Sequence, residues 1–190
     1  MDTVNQALAM LAREQVMTLV PVAGSTLRSL VTEITGGPVR GSWWGHPKGK
    51  LIYRIAEGLE ESGQVLTTKL VEGKVTFVHR VLWPSLLRVT TDASWRRGAA
   101  HGLAAPAKTL LDEVQSCGRV RMDGRSEDAA RKQLEARHLV VGSSEHTERG
   151  AHAAVLTSWE AWAASAGTQA ASGSVDDARA TLAAAGLKLA

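Results

Sequence analysis

Two stretches of the chain repeat each other's order. "LEESGQVLTTKLVEGKVTFVHRVLW" and "LEARHLVVGSSEHTERGAHAAVLTSW" align with offsets of 75 to 77 residues. Leu59-Glu60 falls on Leu134-Glu135, Val65 on Val140, Gly73 on Gly150, Val78 on Val155 and Trp83 on Trp159. Each copy reads as the end of a helix, a hairpin, and a short helix opened by Trp. A duplicated helix-hairpin unit constrains the chain strongly, because each copy presents one apolar face that must be buried against something.

The local signals fill in the rest. In the first hairpin Val and Thr dominate both arms and "EGK" makes the turn. The apolar residues Leu8, Leu11, Val16 and Leu19 predict one helix over 4–19, ended by Pro21. Ser25 is the expected N-cap of a second helix reaching Thr35. A third is expected over 47–62, with Pro47 in its first turn and Gly63 as its stop. "TDASWRRGAAHGLAAP" reads as a linker. A helix from Pro106 to Gly118, the short strand "RVRMD" and a helix with Ser126 as N-cap lead into the second hairpin. The last helix has Ser174 and Asp177 at capping-box spacing and Gly186 as its stop.

These elements give an α+β chain of tandem units, each helix, hairpin and helix, with an added N-terminal helical segment. The expected divisions are 1–97, 106–164, and a linker with terminal helix over 165–190. In this order the chain resembles winged-helix DNA-binding proteins, over 106–164 and more loosely over 47–90. That resemblance implies that the helix over 126–137, before the second hairpin, is a recognition helix entering a groove, with the hairpin as a wing touching the DNA backbone. Tandem units of this kind are also similar in architecture to the AlkZ-like DNA glycosylases, although the Gln-centred motif of those enzymes has no counterpart here. The stretch containing "GSWWGHPKGK" looks like a motif of uncharacterised bacterial proteins.

Charge is where a polyanion reading starts. The formal net charge is only +3, but 40–97 holds ten Lys or Arg against five acids. Within it "PVRGSWWGHPKGK" places Trp43 and Trp44 beside Arg40, His46, Lys48 and Lys50. An indole stacks on an unpaired base, and cations at a helix N-terminus attract phosphate. Because adjacent side chains diverge, one Trp is expected to face the core and the other solvent. Lys69, Lys74 and Arg80 on the first hairpin, and Arg125, Arg131, Lys132 and Arg137 around the second unit's helix, complete the expected DNA-contacting set.

Chemistry is less clearly marked. No phosphate loop or nucleophile elbow is present. If the protein is a DNA-repair enzyme (a glycosylase or an abasic-site lyase), His46, Lys48 or Lys50 are the catalytic candidates. A protein-interaction module is the remaining alternative. His146, Glu148 and His152 would meet across the second hairpin in a combination that suits zinc, but a polar wing tip is the expectation, and neither a metal nor a cofactor is expected. The single cysteine, Cys117, and an N-terminus without a signal-like start fit a cytoplasmic protein. No apolar run is long enough for a membrane span.

Overall fold

Both halves of the chain build a three-stranded antiparallel sheet in which the first strand pairs with the last. The computed structural model describes residues 1–123, 126–146 and 152–189. The first half runs α1 (Val4–Glu14), β1 (Val16–Thr18), α2 (Leu30–Thr35), α3 (Gly49–Glu61), β2 (Val65–Val71) and β3 (Lys74–His79). Then come α4 (Trp83–Thr90) and α5 (Ala93–Ala100). The second half runs α6 (Ala105–Cys117), β4 (Arg119–Arg121), α7 (Asp128–Ala136), β5 (Val141–His146) and β6 (His152–Thr157), followed by α8 (Trp159–Ala166) and α9 (Val175–Ala184). The strand orders are β1-β3-β2 and β4-β6-β5. The chain is an α+β fold.

The N-terminal segment is not an addition to the first unit. The expected helix over 4–19 stops at Glu14, because Gln15 turns to φ 64° and its N–H bonds back to the Leu11 carbonyl at 2.7 Å. The chain then enters β1, with Val16 opposite Val78 and Met17 opposite Phe77. The second helix is also shorter than expected: Ser29, not Ser25, caps it by accepting from the Thr32 N–H. α3 begins at Gly49, so Pro47 lies outside it. Where a linker was expected, Asp92 accepts from the N–H groups of Ser94 and Trp95 and starts α5. α7 has Glu127, not Ser126, in its cap position.

Both faces of the first sheet are buried. Met17, Val65 and Phe77 join Leu11, Ile34, Ile52, Ile55 and Leu59 in one core. Val16, Leu66 and Val78 face the other way, into a second core that continues through Leu86, Leu110, Leu134, Leu156 and Leu182. The second core therefore spans both units and the terminal helix. Polar bonds cross the same boundary: the Gly142 N–H donates to the Thr68 hydroxyl at 3.2 Å, and Lys69 Nζ lies 3.1 Å from a Glu135 carboxylate oxygen.

The repeat is present in space, with one adjustment. Val65 lies opposite His79 and Val141 opposite Thr157, so Val65 is equivalent to Val141 rather than to Val140. Trp83 and Trp159 are both the first residue of their helices and both buried. Each donates its indole N–H to a backbone carbonyl, Trp83 to Val78 and Trp159 to His138. Trp162 meets both rings edge-on, with centroids at 5.2 and 5.8 Å.

Candidate nucleic-acid interface

The loop before α3 is a rigid construction. Trp43–Gly45 form a single 3-10 turn. The Gly45 N–H donates to the Ser42 carbonyl, His46 N–H to the Trp43 carbonyl, and Gly49 N–H to the His46 carbonyl at 2.7 Å. The Lys48 N–H donates to Nδ1 of His46 at 3.1 Å. α3 seats directly against this turn: a Cβ on Gly49 would lie 2.7 Å from the Trp44 carbonyl oxygen. Only glycine allows that approach.

On this base the two tryptophans stack on each other, with centroids 4.2 Å apart and planes 23° apart. Trp43 is half-buried against the first core, while Trp44 is 61% exposed. One ring thus faces inward and the other outward, but the rings do not diverge. The 3-10 turn carries them onto the same side. Tyr53, on α3, extends the cluster, its centroid 5.5 Å from that of Trp44. Its hydroxyl donates to Glu57 at 3.2 Å, and that hydrogen bond, helped by the carboxylate's charge, pushes the phenol pKa up. Three of the chain's eight aromatic residues therefore form one shelf.

Cations border it. Arg40, Lys50 and Arg54 are exposed. Lys50 and Arg54 are one helical turn apart on α3, so they share a face. Arg54 did not enter the sequence-derived set, though its spacing from Lys50 was a readable signal. Beyond Arg54 the helix changes sign, with Glu57, Glu60 and Glu61 in its last turns. Partial burial, then the charges of Glu57 and Glu61, push the Glu60 carboxyl up.

Other expected contacts are occupied elsewhere. The Lys48 ammonium donates to the Ile34 carbonyl at 2.7 Å and closes the C-terminal end of α2. His46 contributes Nδ1 to the loop, and Lys50 is exposed on α3. Two of the three catalytic candidates, His46 and Lys48, are thus committed to internal bonds, while Lys50 is exposed. Lys74 is exposed at the β2–β3 turn and Arg80 just after β3, but Lys69 is committed to Glu135.

The helix expected to enter a groove, α7, is spent on internal contacts. Arg131 bonds Asp128 and Glu135, and its side chain is only 13% exposed. Lys132 Nζ lies 2.6 Å from Asp128, whose carboxyl is pulled down to about 2 by its bonds to Lys132 and Arg131. Arg137 donates to the Ala99 and His101 carbonyls. Arg125 and Glu148 lie outside the described residues. The backbones of His146 and His152 are paired across β5 and β6. Among the described residues no three His, Cys, Asp or Glu side chains gather as metal ligands.

Comparison of the chain with protein-family models, with curated proteins and with solved structures gives no match.

Proposed function

We propose that this is a DNA-binding protein that grips unpaired or distorted DNA on the Trp43–Trp44–Tyr53 shelf. The observation that carries the reading is Trp44. Its ring is held 61% exposed on a backbone-bonded turn, stacked on Trp43 and beside Tyr53, and Trp of this kind is enriched at interfaces. Its exposed surface is available to a base, and such stacking is worth ~1–3 kcal/mol. Arg40, Lys50 and Arg54 supply the cations that a phosphate backbone beside that base requires. Lys74, exposed at the β2–β3 turn, would be a wing contact in this reading.

The element order supports a winged-helix reading of the units. Helix, strand, helix, helix and hairpin, with the first strand against the last, describes the first half. The second half follows the same order, with no helix among its described residues between β4 and α7. In this reading α3, not α7, is the helix that meets DNA. Of the two lysine candidates for repair chemistry, Lys48 is tied to the Ile34 carbonyl, which leaves the exposed amine of Lys50. No helix among the described residues is long and apolar enough to cross a membrane.

Binding of single-stranded, duplex and gapped oligonucleotides, measured by fluorescence anisotropy across salt concentrations, tests the proposal. Affinity must fall as salt rises. Trp44→Ala costs roughly tenfold on unpaired DNA, and Lys50→Ala with Arg54→Ala lowers the salt slope. Lys132→Ala changes neither. Absence of binding at low salt, or an affinity indifferent to salt, overturns it.

A further inference from the structure

The outward face of α3 carries a charge pattern that matches its own reverse. Lys50, Arg54, Glu57 and Glu61 are all exposed. At about 100° per residue they fall within about 60° of arc, on the side opposite the buried Ile52, Ile55 and Leu59. Two cations come first and two acids follow. Lys50 with Glu61, and Arg54 with Glu57, are both centred on the Ile55–Ala56 peptide. We propose that this face pairs antiparallel with the same face of a second copy of the chain, about a two-fold axis through that peptide. Lys50 of each copy then meets Glu61 of the other, and Arg54 meets Glu57, with each pair repeated by the symmetry.

Within one copy these charges stand against their own helix. A helix favours acids in its first turn and cations in its last. α3 has no acid in its first turn and no cation in its last. Lys50 lies near its start instead, and Glu60 and Glu61 end it. The side chains of Lys50, Arg54 and Glu61 make no hydrogen bond or ion pair among the described residues, and Glu57 accepts from Tyr53 alone. The acids also crowd one another: the charges of Glu57 and Glu61 add to the partial burial that pushes the Glu60 carboxyl up. An antiparallel copy relieves both faults, because it brings acids to the start of the helix and cations to its end. A uniformly acidic or basic partner would match half of the face, whereas a second copy matches all of it.

Tyr53 borders the face, with Trp44 beyond it at a centroid distance of 5.5 Å, so the second copy has aromatic area to cover beside the charges. One helix against one helix is small for a stable dimer. The pair is therefore weak and reversible, with a Kd on the order of 100 μM at low salt. Lys50 and Arg54 are also cations of the DNA shelf, so DNA and a second copy compete for them. That competition rests on the DNA reading, whereas the pairing does not.

Sedimentation velocity over a protein concentration series tests the pairing. Wild type should pass from monomer to dimer at low salt and stay monomeric in about 0.5 M salt. Lys50→Glu with Arg54→Glu makes the face wholly acidic, and Glu57→Lys with Glu61→Lys makes it wholly basic. Each double variant alone should associate at least tenfold more weakly than wild type. Mixed together they should pair at least as tightly as wild type does, since every acid again meets a cation. The substituted residues are exposed, and unchanged circular dichroism confirms that the fold is kept. The basic variant retains Trp44, Lys50 and Arg54, so its oligonucleotide titration reports on the shelf and its sedimentation on the pairing. Single-stranded DNA that binds wild type should convert the dimer to monomer, and a dimer that persists with DNA bound overturns the competition. Wild type that is still monomeric at about 1 mM in low salt, association that survives in either variant alone, or variants that fail to pair when mixed, overturns the pairing itself.

Discussion

Nε2 of His138 lies 3.0 Å from the carbonyl oxygen of Leu70, joining the end of α7 to β2 of the other unit. The ring is buried, its Nδ1 has no partner, and its backbone carbonyl receives the Trp159 indole N–H. The neutral ring donates from Nε2. A proton added at Nδ1 would be a buried donor with no acceptor.

Stability should therefore depend on pH through this ring. Burial lowers the pKa of His138, and the bond to Leu70 only partly opposes that. The folded form thus binds the proton later than the unfolded chain does as pH falls. The stabilisation is complete above the unfolded value of about 6.5 and is lost as pH falls from there toward the folded pKa. His79 is lowered as well, by burial and then by Arg80, and adds to the slope. The melting temperature should drop between about pH 7.5 and pH 5.5. His138→Asn, which tolerates the φ of 55° at this position, should flatten that drop. An equal slope in wild type and variant refutes the assignment.

Glu135 is the more fragile half of the ion pair it makes with Lys69. It is buried and receives Arg131 on one side and Lys69 on the other. Glu135→Gln leaves the mostly buried Arg131 guanidinium short of charge compensation and should cost about 3 kcal/mol. Lys69 is 34% exposed, and Lys69→Met should cost less than about 1 kcal/mol. Urea unfolding of both variants checks the asymmetry.

The terminal helix depends on its cap residue. Ser174 accepts from the Asp177 N–H at 3.0 Å, and Asp177 accepts from the Ser174 N–H at 3.3 Å. The helix then buries Ala178 and Leu182 in the shared core. Ser174→Ala should cost about 1 kcal/mol. Because that core spans both units, the loss should appear as a lower midpoint of a single unfolding transition rather than as separate melting of the helix.

Ser174–Asp177 was legible in the sequence because capping is local, and so was the first hairpin. Its turn residues Glu72 and Gly73 both take positive φ, as a two-residue turn demands. The repeat was legible too, down to the two helix-opening tryptophans. β1 was not, because three residues are too few to show a period, and Val16 and Leu19 happen to continue the helical spacing of Leu8 and Leu11. α5 was missed although Asp92 offered a cap, because Gly98 and the Arg96-Arg97 pair gave it the composition of a linker. In the site, residue types were readable but commitments were not. Nothing local to Lys48 reveals that its ammonium reaches the Ile34 carbonyl, fourteen positions away. Nothing local to Arg131 reveals that α7 faces the other unit.

The shelf rests on a glycine. A Cβ at position 49 would sit 2.7 Å from the Trp44 carbonyl oxygen and 3.0 Å from that of Trp43. Both atoms are backbone, held by the hydrogen bonds of the turn, so they cannot swing aside as a side-chain tip would. Gly49→Ala gains at most about 1 kcal/mol in helix propensity, and less at the first helical position. Forcing the turn away costs about 1–3 kcal/mol. Net destabilisation of about 1 kcal/mol is expected, with Trp44 displaced from Tyr53 and affinity for unpaired DNA reduced toward that of Trp44→Ala. Gly45→Ala is the control, since a Cβ there meets nothing within 4 Å. It should leave stability within about 0.5 kcal/mol and preserve binding. If the two alanine variants behave alike in unfolding and in DNA titration, the shelf does not owe its position to the Gly49 contact.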